Sequence, residues 1–347
     1  MYKKYFIVLE KTIIFLFIFL VFTGNIFCES SSESIEDEEN IVYLYNEINN
    51  INDPDLLWEL LNAVRDSEKK AEIIIALSKY GKGKKRTIEN LNKYLMEMNK
   101  SFREGGIVDY IVVSACISAI LELADGSSYP VLLNTICSGY PEVIAFEAQG
   151  AFELIPGNLQ RFLLDVIEKN PDDEKFTAFR IVLNSDILNE RLSILERGLL
   201  AEIALEYSLR ADRNNADLLE MRYDAVLMLT RLQWKRANTL AISHYHYILI
   251  DFQKGIVTKE RFIDSILCLG AVGNSDAALV LGLQLGLRNI RTERTGEFDP
   301  EIIQAIVEAL GLIGDKAAYE HLLNVTILPY PDYIIAEARE AISRLKW

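Results

Sequence analysis

The chain has 347 residues, half of them hydrophobic, a formal net charge of -15 and a sequence pI of about 4.8. So much apolar sequence can bury a large core, which excludes a chain disordered throughout. So much negative charge repels phosphate backbones, which argues against nucleic acid and makes a basic protein surface the better-matched partner.

The N-terminus carries Lys3, Lys4 and Lys11, then an unbroken apolar run over Ile13–Phe22, then Thr23, Gly24 and Asn25. The run is of signal-peptide length and too short to span a bilayer comfortably, so residues 1–28 read as an export signal. The apolar residues before Glu10 keep an uncleaved N-terminal anchor as the alternative. Removing residues 1–28 removes three Lys and one Glu, a net +2, and would leave a mature chain of about -17. Cys28 precedes ESSSESIEDEEN, a stretch that resembles the tether after the lipidated cysteine of bacterial lipoproteins. That family places Leu three before the cysteine and a small residue just before it, where this chain has Asn25 and Phe27. Cys28 is therefore a candidate lipidation or processing residue, with ordinary cleavage nearby as the plain reading. Residues 29–40 form an acidic, Ser-rich linker without apolar periodicity.

From 41 to 347 the pattern is helical. Apolar residues recur at spacings of three and four, as in Ile302, Ile303, Ile306, Val307, Leu310 and Ile313. Asp53-Pro54-Asp55 and Asp299-Pro300-Glu301 each read as an N-cap, a Pro in the first helical position and an acidic first turn.

Within this region one segment occurs twice. Residues 111–155 and 301–345 align without a gap, with thirteen identical positions that include Asp125/Asp315, Tyr140/Tyr330, Pro141/Pro331, Glu147/Glu337, Ala148/Ala338 and Ala151/Ala341. A shorter unit, 264–281, aligns with 224–241 and with 305–322. It consists of an apolar helix end, a tight turn and a second helix opening with Ala. Leu269-Gly270-Ala271-Val272-Gly273-Asn274 matches Leu310-Gly311-Leu312-Ile313-Gly314-Asp315, which predicts a glycine in the left-handed conformation at the helix end and an Asn or Asp capping the next helix. A weaker copy covers Ala76–Leu95, with Gly81 at the turn. A period near 40 with two helices per unit predicts an α-solenoid.

Leu310, Gly311, Ile313, Gly314, Asp315, Ala318, Leu322, Ala338, Ala341 and Ile342 fall on the characteristic positions of a known repeat. The segment resembles the short HEAT-like repeat first noted in phycobilisome lyases, within the armadillo-like helical superfamily. Ile334-Ile335 stand where that family often has Val-Arg, which removes an Arg that commonly pairs with the turn aspartates of neighbouring repeats. The clearest repeats are 107–155 and 224–346, and 41–106 and 156–223 are degenerate. The resemblance implies an all-α, right-handed superhelix of stacked helical hairpins.

Chemistry-bearing residues are sparse. His244 and His246, two apart on a helix, point to different faces, whereas a metal pair wants a spacing of three or four. His321 lies beside Leu322-Leu323 and reads as partly exposed. Gly81–Arg86 is glycine-rich and basic but lacks P-loop spacing, and reads as an exposed turn. Cys116, Cys137 and Cys268 sit in apolar helical patterns and read as small buried hydrophobes. Tyr140-Pro141 and Tyr330-Pro331 read as helix starts. Arg291–Asp299 reads as a polar loop between two helices.

These observations name no catalytic, cofactor-binding or metal-binding residue. The expectation is a non-enzymatic protein-binding scaffold of the periplasm or cell envelope, taking a protein or peptide, and meeting the membrane only through the N-terminal signal or a lipid anchor. Two alternatives stand beside it: a cell-wall or glycan-acting enzyme on a helical toroid, and a surface lipoprotein.

Overall fold

The computed structural model describes residues 51–346 apart from 212 and 213. Residues 1–28, expected as an export signal with Cys28, and 29–40, expected as a linker, lie outside the described residues.

Among the described residues there are seventeen α-helices: α1 Pro54–Ala63, α2 Ser67–Tyr80, α3 Lys85–Arg103, α4 Tyr110–Leu123, α5 Tyr129–Ile136, α6 Glu142–Leu154, α7 Leu159–Lys169, α8 Asp172–Asn184, α9 Asp186–Arg191, α10 Ile194–Arg210, α11 Ala216–Leu232, α12 Asn238–Gln253, α13 Lys259–Val272, α14 Ser275–Thr295, α15 Pro300–Ile313, α16 Tyr319–Val325 and α17 Asp332–Ser343. No strand occurs among them beyond an isolated bridge between Asp315 and Lys346. The predicted caps form: Asp53 accepts from Asp55 N at 3.0 Å, and Asp299 from Glu301 N at 3.1 Å. Asn274 opens α14 by accepting from Asp276 N at 2.9 Å.

The helices stack in two layers, each packing on its neighbours in the chain. In the first layer α2 packs on α4 and α4 on α6, and farther on α8, α11, α13, α15 and α17 follow one another. In the second layer α3 packs on α5, and α7, α10, α12, α14 and α16 come in turn. Each pair hides an apolar face that one hairpin could not bury alone. Along α15, Ile302, Ile303, Ile306, Val307 and Leu310 are buried, as the periodicity requires.

The two copies of the long repeat share one local structure. In both, a helix ends at a tight turn, a 3-10 turn leads into a short helix, and Pro141 or Pro331 opens the next helix at φ near -51° or -56°. Asp125 accepts from Ser127 N, and Asp315 from Ala317 N, each at 2.8 Å. Serine hydroxyls, with those backbone hydrogen bonds adding to them, hold both carboxyls below the ordinary carboxylate range. The serine on Asp315 is Ser275, from the turn of the preceding unit. One unit earlier, Asn238 Oδ1 accepts from Asn274 N at 3.1 Å, and at the far end Lys346 N donates to Gly314 O at 2.9 Å. Hydroxyl, amide and backbone contacts thus tie successive turns together.

The turn residue differs from unit to unit, yet three of the turns share one left-handed backbone conformation. Gly314 is left-handed at φ 70°, as expected, but Ala124 (φ 52°) and Gln233 (φ 50°) hold the same conformation without being glycine. Gly273, expected to be left-handed, is extended instead (φ -69°, ψ 162°). A left-handed non-glycine residue carries a steric cost of about 1–2 kcal/mol, partly offset by the entropy a glycine would lose. Ala124→Gly and Gln233→Gly are each expected to stabilise by about 0.5–1 kcal/mol, and Gly314→Ala to destabilise, read as shifts in thermal melts.

Close approach within the first layer depends on small residues. A Cβ built on Gly270 would lie 2.7 Å from Ala309 Cα, and one on Gly311 would lie 2.9 Å from Ala341 Cβ. Ala148 on α6, Ala309 on α15 and Ala338 on α17 are fully buried.

The degenerate stretch departs from this scheme. The short helix α9 sits at the junction, against both α6 and α8. Its Arg191 donates to Glu153 O and to Tyr129 Oη. Glu174 is buried and accepts from Asn134 at 3.1 Å and Asn170 at 2.7 Å, with Arg103 at 3.5 Å. Lys175, also buried, donates to Tyr207 Oη at 2.6 Å. Here polar pairs join the units in place of alanine seams, so the repeat signature fades.

Candidate binding surface

The solvent-facing side of the first layer carries a run of carboxylates. Glu220, Glu260 and Glu301 occupy equivalent positions on α11, α13 and α15, as do Asp224 and Asp264 on α11 and α13. Part of this charge is tied down between neighbours: Arg261 pairs with Glu220 at 3.0 Å, and Lys259 with Glu301 at 2.8 Å. Asp224 and Asp264 stand deeper, and burial pushes both carboxyls above the ordinary range, with nearby Arg180 and Arg261 opposing. Glu147 on α6 is raised by burial as well, although it accepts from Ser114 Oγ at 2.6 Å. A covering cation would stabilise each of these carboxylates. Toward the N-terminal end the same side turns apolar, with Ile111, Val143, Phe146 and Leu154 exposed.

A cleft of about 320 Å3 lies between the end of α12, the last turns of α14 and the start of α15. Phe252, Arg288, Thr292, Phe298 and Ile303 line it. Its two carboxylates already serve the fold: Glu297 pairs with Arg291 at 2.8 Å, and Asp299 caps α15 and meets Lys259 at 3.5 Å. Of Arg291–Asp299, expected as a loop, Arg291–Thr295 are helix and Gly296–Asp299 form the connection. α14 continues to Thr295 and Gly296 ends it at φ 71°, so only a short connection precedes α15. Thr292 turns inward to meet Tyr330 Oη at 2.9 Å, and Tyr330 donates to Asn289 at 3.0 Å. That buried contact extends the helix through residues whose polar composition suggests a loop.

The remaining candidates fall apart from one another. His244 is buried and His246 exposed, as their spacing requires. Both ring nitrogens of His244 lack hydrogen-bond partners among the described residues, and Tyr223 meets the ring edge-on at 6.1 Å. Burial lowers its pKa from 6.5 to about 3, with Arg222 and Arg261 adding to the effect. Half-buried His321 lies over Gly282 and Gly286 of α14, where any side chain would collide with its ring. Cys116 and Cys268 are buried and Cys137 is half-buried, all as free thiols. Burial raises all three, Cys137 and Cys268 to about 11. Of Gly81–Arg86, residues Gly81–Lys84 form the turn between α2 and α3, and Lys85 and Arg86 open α3. Among the described residues no group of His, Cys, Asp or Glu could hold a metal ion, and no helix is long and apolar enough to cross a membrane. Periodicity does not single out Asp224 and Asp264. Their signal is the recurrence of an acidic residue on the half-buried side of successive first helices.

Comparisons with family models, with curated proteins and with solved structures return no match for this chain.

Proposed function

We propose that this chain is a HEAT-like helical-repeat scaffold without enzymatic activity, exported to the periplasm or cell envelope, that binds a basic protein segment. The partner lies along the first layer, over the acidic side of α11, α13 and α15. The observation that carries this reading is the pair Asp224 and Asp264, repeated on successive helices and raised by burial. Charges held this way cost the free protein stability, and a covering Lys or Arg offsets that cost. The overall charge of -15 favours encounter with a cationic surface. The N-terminal apolar run supports export, and the shared turn structure of the repeats supports the HEAT-like reading. The HEAT-like reading implies a right-handed superhelix.

The test is capture from envelope extracts by wild type and by the double variant Asp224→Asn/Asp264→Asn. The expected result is a basic polypeptide retained by wild type at low salt, released by added salt, and held at least about tenfold more weakly by the variant. Equal retention by both chains would overturn the assignment of this face.

A further inference from the structure

The second layer carries a different surface. On α14, Leu279, Leu283, Leu287 and Ile290 are 52%, 64%, 63% and 47% exposed. Their spacing of four, four and three places them in one stripe along a single side of the helix. Leu279 and Ile290 lean to the same edge, and Leu283 and Leu287 straddle the middle. The neighbouring helices widen the stripe, because Ile250 on α12 and Leu323 on α16 are exposed at 44% and 41%. So continuous an apolar surface on a water-facing helix marks a contact.

The ends of the stripe name the occupant. Asp276 lies in line with it in the first turn, and Arg294 lies in line with it in the last. Both are exposed, and neither forms a salt bridge among the described residues. The side is therefore acidic at one end, apolar through the middle and basic at the other. Such an arrangement is self-complementary under a two-fold axis across its centre. Turned end for end, a second α14 sets Leu283 against Leu287, Leu279 against Ile290, and Asp276 against Arg294 at both ends. A parallel pairing would instead oppose Asp276 to Asp276 and Arg294 to Arg294. The antiparallel arrangement also opposes the two helix dipoles favourably.

We infer that α14 is a homodimerisation surface, on which a second copy of this chain packs its own α14 antiparallel about a two-fold axis near residue 285. The interface is isologous, the closed form that does not propagate into fibres. It lies on the layer opposite the acidic side, so a dimer carries two outward-facing partner surfaces.

Sedimentation velocity and light scattering of the full chain test this. Wild type is expected to run as a dimer. Leu283→Glu/Leu287→Glu is expected to run as a monomer with an unchanged far-ultraviolet circular dichroism spectrum, since both positions are exposed. Asp276→Arg and Arg294→Asp should each weaken the dimer about tenfold, because each reversal acts at both ends of the interface. The double reversal Asp276→Arg/Arg294→Asp should restore it. Association through any other part of the chain would not respond to that pair. A monomeric wild type, or a double reversal no tighter than the single ones, would overturn the inference. So would a monomer that binds lipid vesicles or a foreign amphipathic helix through the stripe.

Discussion

An Ala309→Asp chain is expected to lose on the order of 4 kcal/mol of stability and to melt roughly 10 °C lower, followed by circular dichroism. Ala309 has no exposed surface, and Gly270 of the neighbouring first helix approaches so closely that a Cβ there would lie 2.7 Å from Ala309 Cα. A carboxylate at 309 would have neither water nor a cation within the seam. It would have to ionise unsolvated, take up a proton or force α13 and α15 apart, and each course costs several kcal/mol. Ala338→Asp should behave alike, because Ala338 is also fully buried, on α17, which packs on α15. Leu312→Asp is the control on the same helix. Leu312 is 53% exposed, so its replacement should shift stability by less than about 0.5 kcal/mol. A melt of Ala309→Asp indistinguishable from that of Leu312→Asp would show that α13 and α15 do not pack as described.

The second large effect is on pH. His244 is 1% exposed, neither ring nitrogen has a hydrogen-bond partner among the described residues, and its pKa is lowered to about 3. The folded value lies below the unfolded one, so the unfolded chain binds the additional proton. His244 therefore costs nothing above about pH 6.5, and its penalty grows as pH falls from about 6.5 toward about 3. At about 1.4 kcal/mol per pH unit, the loss reaches about 2.5 kcal/mol by about pH 4.5. Other groups titrate in the same range. Asp125, Glu196 and Asp315 are lowered by hydrogen bonds and also lose stabilisation as pH falls, whereas Glu147, Asp224 and Asp264 are raised and act in the opposite sense. Comparison with His244→Phe isolates the histidine. Urea melts at about pH 7.5 and about pH 4.5 should show the variant losing about 2.5 kcal/mol less than wild type. Any packing cost of the phenyl ring cancels in that difference. Equal losses in the two chains would mean that the imidazole is not buried neutral.

Much of the fold is legible in the residues. Asp299-Pro300-Glu301 announces the start of α15, the thirteen matched positions announce two copies of one structure, and the alanines shared between the copies prove to be seams. The departures have physical causes. Gly273 aligns with Gly314 and so suggests a left-handed turn, yet its extended backbone brings it so close to Leu269 O and Ala277 that only glycine fits. Ala124 and Gln233 take the left-handed place without announcing it, because tertiary packing outweighs a local preference of about 1 kcal/mol. Arg291–Thr295 has the composition of a loop, because one inward threonine among charged residues leaves almost no periodicity. The junction at α8 and α9 is illegible because Glu174, Lys175 and Arg191 do the joining that small apolar residues do elsewhere, and nothing in composition marks a charged residue as buried.

The candidate surfaces are less legible than the fold. The stripe on α14 reads in sequence as an ordinary apolar helix face, and only the stack shows that a different side, through Ala277, Leu281 and Leu285, is the one buried. The acidic positions gain meaning only when Asp224 and Asp264 are seen on neighbouring helices.

The central claim is that residues 111–155 and 301–345 are one structural unit built twice into a stack of helical hairpins. A crystal structure of the chain tests it most directly. The account predicts that the two segments superpose helix for helix, with Ala124 and Gly314 both left-handed, Asp125 and Asp315 capping equivalent turns, and Ala148 and Ala338 buried in equivalent seams. Different folds for the two segments, or a strand-containing globule around either, would contradict it.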